Sequence, residues 1–544
     1  MRKIALTLSV TLAMTLVRAL GMAAAAQAAP IVTTDGPVEG FAKNSITQFL
    51  GIPYAKPPVG DLRWRPPQPV AKWETVRKAD KFGPTCAQVT TLGPFAGPAN
   101  SNEDCLYLNV FTQDVKSRLP VLVWIHGGGY VDGESNDYDA TKLAAQGKLV
   151  VVTLNYRLNL FGFLAHPALD MEHHPFGNYG IMDTQAALRW VQRNIASFGG
   201  DPGNVTLGGQ SAGAGAAAAN LVSPGAMGLF QRAIFQSGGY TPFAPRSVSE
   251  DRGNKFAAAA GCTIGDIAKC LRALPAAKII ALSGTPSANG PFINGPLVDG
   301  RTIPEQEIDA IRSGEFNRMP IMIGTTQDEA NFTIGIAQYF RKNHAPTTEA
   351  DFHTAVKNIY GGNAGPGMSL PAYPAGTVNA VLAHYPVKGA AQPSWTGAAT
   401  DNLACRGQYV AEALSAHGPV YMYEFDDRSA PSYFPTMPGY QSLAYHTGDI
   451  PYVFTGYHGG PNGLPTILGP AQQKLSDRLI TAWANFARGG NPNGAGDAPW
   501  PRWKKGADSP AYFLQDDSWR KTQTNGQFAA AHQCGFWQSI LLYK

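Results

Sequence analysis

VTLGGQSAGAGAAAA, residues 205–219, places a serine where a strand turns into a helix. Val205, Thr206 and Leu207 read as a strand, and Ala214 to Ala219 reads as a helix. Ser211 stands at the corner, with Gly209 and Gly213 two residues to either side. Three readings compete for this corner. In the first it is a G-x-S-x-G elbow, which exposes a nucleophilic hydroxyl on a strained turn while the glycines relieve the crowding. In the second, Gly213-Ala-Gly215-Ala-Ala-Ala218 fits G-x-G-x-x-A, a dinucleotide-binding fingerprint. In the third, small residues merely let a helix lie close to a sheet.

A second stretch decides between them. LPVLVWI (119–125) reads as a buried strand and runs into His126-Gly127-Gly128-Gly129-Tyr130. Glycines there free the backbone to turn its N–H groups inward, and an acyl-transfer intermediate needs donors aimed at its oxyanion. The expected donors are Gly128 and Gly129, together with Ala212 from the elbow. The dinucleotide reading fails at both places. Asp132 occupies the third glycine position here, and Gly213 and Gly215 fall inside the helix rather than at the strand end. No acidic residue follows ~20 residues on to hold a ribose.

A serine nucleophile needs a base, and the base needs an orienting acid, in the chain order Ser, acid, His on this architecture. MPIMIGTTQDEANF (319–332) places Asp328 and Glu329 just past a strand, and either would serve on physical grounds. Among eleven histidines, His446 lies late in the chain in a loop-like stretch, Tyr445-His446-Thr447-Gly448-Asp449, and is the candidate base. His173-His174 is an adjacent pair without helix-face spacing and reads as solvated surface.

Apolar runs at 119–125, 149–154, 205–207, 233–236, 321–324 and 420–425 read as buried strands between helix-like stretches. That pattern implies an α/β fold: a mostly parallel central sheet with helices on both faces. The segment 31–55 reads instead as hairpins, with Asp35-Gly36 as a turn, and so as an antiparallel N-terminal edge. From about 338 to 417 the chain is rich in Ala, Gly and Pro and reads as a helical insertion covering the C-terminal edge of the sheet. No flexible linker divides the chain, so 29–544 is read as one domain.

The chain has 544 residues, is 44% hydrophobic and 15% charged, and carries a net charge of +4, which with no basic run gives no case for nucleic acid. Arg2 and Lys3, the apolar Ile4 to Val17 and an A-x-A site at Ala26-Gln27-Ala28 read as a signal peptide, 1–28. Arg18 ends the apolar run well short of the ~20 residues of a membrane span. The mature protein is expected to start near Ala29, secreted or periplasmic, soluble and without a stable membrane anchor. Nothing in the composition sets an oligomeric state. Six cysteines in an exported chain allow three bridges in fifteen connectivities. Local spacing suggests Cys86–Cys105 and Cys262–Cys270, leaving Cys405–Cys534; no C-x-x-C points to zinc.

Several further blocks carry a resemblance. FLGIPYAKPPVGDLRWRPPQP (49–69), EDCLYLNV (103–110), GNVTLGGQSAGA (203–214), GTTQDEANF (324–332) and HTGDIPYVF (446–454) are similar to blocks of the type-B carboxylesterases, the family of carboxylesterases and cholinesterases. The resemblance runs from about residue 31 to the C-terminus and implies the α/β-hydrolase fold. It implies Glu329 rather than Asp328 as the acid, supports His446 as the base, and supports the bridges 86–105 and 262–270. It implies buried ion pairs Arg63–Glu103 and Arg157–Asp183, and places Ser237 near the triad without a catalytic part.

This sequence departs from the family at Gln210, where glutamate usually precedes the nucleophile. A carboxylate there would favour an imidazolium, so the amide is expected to lower the acid limb of activity, read as a single titration of His446. The departure puts preference for cationic substrates in doubt. Cholinesterases hold a tryptophan inside the first disulfide loop; here 86–105 has none, and Phe95 is its only aromatic. The implied function is that of a secreted serine esterase acting on neutral, small carboxylic esters through an acyl-enzyme, with no metal or organic cofactor. A specialised polyester, lactone or toxin-ester hydrolase is the alternative within the family. A non-catalytic binding module is the alternative outside it. Tyr240, Phe243 and Phe332 are candidates for the acyl wall, with ordinary core packing as the other reading of each.

Overall fold

Valine-rich runs buried on both faces build the centre of the molecule. A computed structural model describes residues 26–93, 98–283, 295–361, 373–456, 466–495, 498–519 and 521–540. Twelve strands form one sheet. In chain order they are β1 (Ala26–Gln27), β2 (Phe41–Lys43), β3 (Ile46–Pro53), β4 (Tyr107–Thr112), β5 (Leu119–Ile125), β6 (Val150–Leu154), β7 (Gly200–Gln210), β8 (Arg232–Gln236), β9 (Ile321–Thr326), β10 (Val420–Phe425), β11 (Pro510–Gln515) and β12 (Thr522–Thr524). Their spatial order is β1-β2-β3-β4-β6-β5-β7-β8-β9-β10-β11-β12. Pairings from β6 through β11 are parallel; those from β1 through β4 to β6, and β11 with β12, are antiparallel. The α/β class, the parallel centre and the antiparallel N-terminal edge are as the sequence implied.

Alternation along the strands assigns the two faces. Val121, Val123 and Ile125 of β5 and Ile321 and Ile323 of β9 join one core, which holds helices α1 (Tyr179–Asn194) and α2 (Ala212–Val222). Leu122, Trp124 and Met322, one residue out of step, join the opposite core, under α5 (Pro470–Gly489). Asp35-Gly36 turns the hairpin Ile31–Val32/Pro37–Glu39, which belongs to a separate three-stranded sheet. Two interior strands escaped the sequence reading. β4 carries Asn109 at its centre, which donates to Thr153 Oγ1 and Ser135 Oγ, and β11 opens with a proline.

Within 338–417 the described residues hold helices Glu349–Tyr360, Thr377–His384 and α4 (Gln392–Ser415). α3 (Asn331–Tyr339) leads into them from β9. The later part of α4 lies along a face of the sheet, with Val410, Ala411 and Leu414 in the same core as Ile321 and Val420. Only its first half reaches past the C-terminal edge, where Thr400 Oγ1 accepts from Ala330 N at 3.2 Å. The insertion thus flanks the sheet as well as capping it, because a helix of 24 residues outruns the edge.

The bridges Cys86–Cys105, Cys262–Cys270 and Cys405–Cys534 are all formed. Residues 1–25, including most of the expected signal peptide, lie outside the described residues. Cleavage after Ala28 would remove β1 and leave β2 as the edge. No helix among the described residues is long and apolar enough to cross a membrane. The third bridge ties α4 to the C-terminal helix beside a buried histidine. His532 Nδ1 meets Asp401 Oδ1 at 3.0 Å, and its Nε2 meets Glu424 Oε1 at 2.7 Å. Burial pushes this imidazole down, but the two carboxylates outweigh it and carry it up to about 10. The ion pairs Arg63–Glu103 and Arg157–Asp183 are also present, both two-pronged.

Peptide mapping without reduction should find all three bridges and no free thiol; free Cys405 and Cys534 would overturn the pairing. Closing a 129-residue separation restricts the unfolded chain strongly. The double variant Cys405→Ala/Cys534→Ala should therefore lose about 4 kcal/mol of unfolding free energy in urea titration.

Candidate active site

The site begins with a corner that has no room for side chains. Ser211 sits at φ +57° and ψ −123°, outside the regions a non-glycine residue favours. A Cβ on Gly209 would lie 2.3 Å from the backbone of Gly213, and one on Gly213 would lie 2.0 Å from Ile125 O at the end of β5. Ser211 N donates to Gln236 O of β8 at 2.8 Å, which pins the corner to the neighbouring strand. Gly215 N donates to Ser211 O, so the amides of Ala212, Gly213 and Ala214 precede the first turn of bonds in α2.

The glycine run after β5 lies against this corner. A Cβ on Gly127 would stand 2.8 Å from Gln210 O and 3.1 Å from Ser211 Cβ. Gly128 and Gly129, the expected oxyanion donors, follow at φ +111° and +60°, and Gly128 O accepts from both Val131 N and Asp132 N. His126 beside them stacks on Tyr156 with ring centroids 4.6 Å apart, and burial holds its imidazole down at about 4.

Acid and histidine arrive from two other strand ends. Glu329 Oε2 hydrogen-bonds His446 Nδ1, while Oε1 accepts from Thr325 Oγ1 and Thr326 N, each at 2.8 Å. Burial pushes the Glu329 carboxyl up, yet His446, the Thr326 N–H and the Ser237 hydroxyl outweigh it and hold it below its ordinary range. Asp328, the alternative acid, faces elsewhere. Its carboxylate accepts from Arg428 Nε and Nη2 at 2.9 and 2.8 Å and from Ala444 N at 3.2 Å, bracing the acid loop to the histidine loop.

His446 Nε2 lies 3.1 Å from Gln210 Nε2. With Nδ1–H given to Glu329, Nε2 carries the lone pair and accepts from this amide. Gln210 is fully buried. Asp449, three residues after His446, was not singled out from the sequence. Burial pushes its carboxyl up to about 7, with Glu329 adding to the rise. Its only signal in the sequence was its place in the block that begins with His446.

The structure separates the aromatic candidates. The Phe332 ring lies 5.8 Å from His446 and 5.9 Å from Phe434. Tyr240 and Phe243 are buried in the large core, and the Phe243 backbone is tied to Gln306. Phe95 lies outside the described residues. His173 is exposed, as read, whereas His174 is half-buried: its Nε2 meets Glu172 Oε2 at 2.9 Å, in a network with Arg65 and Arg272. No group of His, Cys, Asp and Glu suited to a metal occurs among the described residues.

The chain matches the carboxylesterase family over residues 27–537. It belongs to the carboxylesterase family. It is 35% identical to the para-nitrobenzyl esterase of Bacillus subtilis (strain 168), over 85% of this chain and 90% of that protein. It is 33% identical to a medium-chain fatty acyl-CoA hydrolase precursor of Anas platyrhynchos, over 94% of this chain and 92% of that one. Among solved structures, a thermophilic pNB esterase superposes with a TM-score of 0.75 at 31% identity, covering 93% of this chain and 99% of that one. The carboxylesterase is thus a carboxylic ester hydrolase with the α/β-hydrolase fold.

Gln210 gives a signed pH prediction. An imidazolium would turn an N–H toward the Gln210 amide, whereas a carboxylate would accept from it. In Gln210→Glu the acid limb of kcat/KM should therefore move up by about one pH unit. Burial pushes the neighbouring Asp449 carboxyl up to about 7, so the comparison is repeated in Asp449→Asn. An unmoved or lowered limb in both backgrounds refutes the contact.

Proposed function

We propose that this carboxylesterase hydrolyses neutral esters by a serine mechanism, with Ser211, Glu329 and His446 as its triad. The observation that carries the reading is the Glu329–His446 hydrogen bond, with His446 Nε2 against Gln210, the residue before a serine held at positive φ. Glu329 fixes the tautomer in which Nε2, which the Gln210 amide meets at 3.1 Å, carries the lone pair that takes the proton. His446 takes the Ser211 proton as Oγ attacks the ester carbonyl. The N–H groups of Gly128, Gly129 and Ala212 receive the oxyanion. His446 then gives its proton to the departing alcohol, and water resolves the acyl-enzyme by the same route, restoring the serine. Ser237 takes no proton in the cycle.

The chain is read as one catalytic domain, exported by its N-terminal segment and then cleaved after Ala28. Three disulfides support an oxidising destination. Ser211→Ala should fold normally, lose turnover by about four or more orders of magnitude and no longer take an organophosphate label. Labelling that survives in this variant would put the nucleophile elsewhere.

The substrate reading follows from charge. Residue 210 is an amide, the first disulfide loop has no tryptophan to face a quaternary ammonium, and the net charge is +4. p-Nitrophenyl butyrate should be hydrolysed with kcat/KM at least about 100-fold above that of butyrylthiocholine at matched pH and low salt. Equal efficiencies would mean that another aromatic face takes the cation.

A further inference from the structure

Asp132 entered the sequence reading only as the residue that spoils a glycine fingerprint. In the structure its side chain is fully buried, and its carboxylate reaches away from its own loop. Oδ2 accepts from Thr91 N at 2.7 Å, from Thr91 Oγ1 at 2.9 Å and from Leu92 N at 3.3 Å; Oδ1 accepts from Thr91 Oγ1 at 3.0 Å. A buried carboxylate met by three donors on one short segment is a fastening, since charged hydrogen bonds are the strong ones.

Both ends of this fastening bear on the site. On one side, Asp132 closes the glycine turn: its N–H donates to Gly128 O at 3.1 Å. The fit there is tight, as a Cβ on Gly128 would lie 1.9 Å from Asp132 O. Any shift of Asp132 is therefore passed to Gly128. On the other side, Thr91 and Leu92 lead to Gly93, where a Cβ would stand 3.1 Å from the Tyr339 ring. Tyr339 lies 6.4 Å from Phe434, which packs on Phe332, which packs on His446. One further tie holds the disulfide loop to the turn directly, Gly133 N to Gln88 Oε1 at 2.8 Å, and a second runs through Asn159, whose Nδ2 donates to Ala87 O at 2.8 Å and whose N donates to Tyr130 O at 2.6 Å.

We infer that Asp132 is a positioning residue: its carboxylate fastens the Thr91–Gly93 segment to the oxyanion turn, so that the wall leading to His446 and the oxyanion donors are set as one piece. The inference rests on the oxyanion role proposed for Gly128 and Gly129. It requires that loss of the carboxylate weaken the transition state more than the bound substrate.

The test uses the full-length enzyme with p-nitrophenyl butyrate and an alkyl trifluoromethyl ketone, which adds to a serine hydroxyl as a tetrahedral oxyanion. Burial pushes Asp132 up to about 7, so assays run at a pH of about 8.5 read its ionised form. Asp132→Ala should lower kcat/KM about 10- to 100-fold, mainly through kcat, and raise the ketone Ki by the same factor. Asp132→Asn keeps an acceptor oxygen and should recover most of both losses. Thr91→Val removes the hydroxyl leg while keeping the backbone donor. It should show the same coupled change at about threefold, and it carries the test if Asp132→Ala does not fold. A folded variant whose Ki stays put while kcat/KM falls, or in which both stay within about twofold of the parent, overturns the inference. Failure of the proposed mechanism itself would appear separately, as an unlabelled Ser211 in the parent enzyme.

Discussion

At the end of β7 three backbones occupy a space that leaves nothing for a β-carbon. Gly209 touches Gly213, Gly213 touches the last carbonyl of β5, and Gly127 touches the corner itself. Ser211 keeps its positive φ because β7 is paired on both sides, with β5 and with β8, and because its N–H is spent on Gln236. Strain of this kind costs about 1–3 kcal/mol and persists only where the surroundings over-determine it. The alanine-rich helix is part of the same constraint. Ala214 and Ala216 to Ala219 are buried, and larger side chains would push α2 off the sheet and undo the contact of Gly213. The bland reading of the small residues and the chemical one are therefore the same fact.

Everything else in the site is brought to that corner by strand order. β7 lies centrally, with β8 and β9 as its successive parallel neighbours. The loop after β9 consequently delivers Glu329 at the same edge as Ser211. The histidine loop returns from beyond β10 and is held by Asp328, whose N–H and carboxylate both engage Ala444. His446 N donates to Glu329 O at 3.3 Å, so backbone as well as side chain couples Glu329 to His446. Two adjacent carboxylates thus have two tasks, one bracing the loop and one meeting the imidazole.

The strand pattern was legible because parallel strands buried on both faces must be nearly all apolar, as VVVTL of β6 is. The corner was legible because its glycines are required by contact. β4 and β11 were not, since a buried asparagine and an opening proline break the apolar signature. The choice between Asp328 and Glu329 could not be made from their chemistry. They are adjacent, and only the direction of each side chain, set by the bridge between Asp328 and Tyr445, separates them. Asp449 and Asp132 were invisible for a like reason: a single aspartate says nothing until its burial and donors are known. His174 shows the converse: of the two adjacent histidines read as solvated, it alone is drawn in, by Glu172.

The charge around His446 follows from these placements. Glu329 is ionised against the cost of burial, because the imidazole and neighbouring donors face it. A second buried carboxylate nearby is costly, and Asp449 answers by rising to about 7. A third, at position 210, would add like charge to a pocket already holding two acids. The glutamine there avoids that repulsion while still reaching His446 with a hydrogen bond. As pH falls through 7, Asp449 takes a proton and the pocket keeps a single negative charge, that of Glu329, which is committed to the imidazole. The amide at position 210 lets that charge stay with the imidazole while adding none of its own.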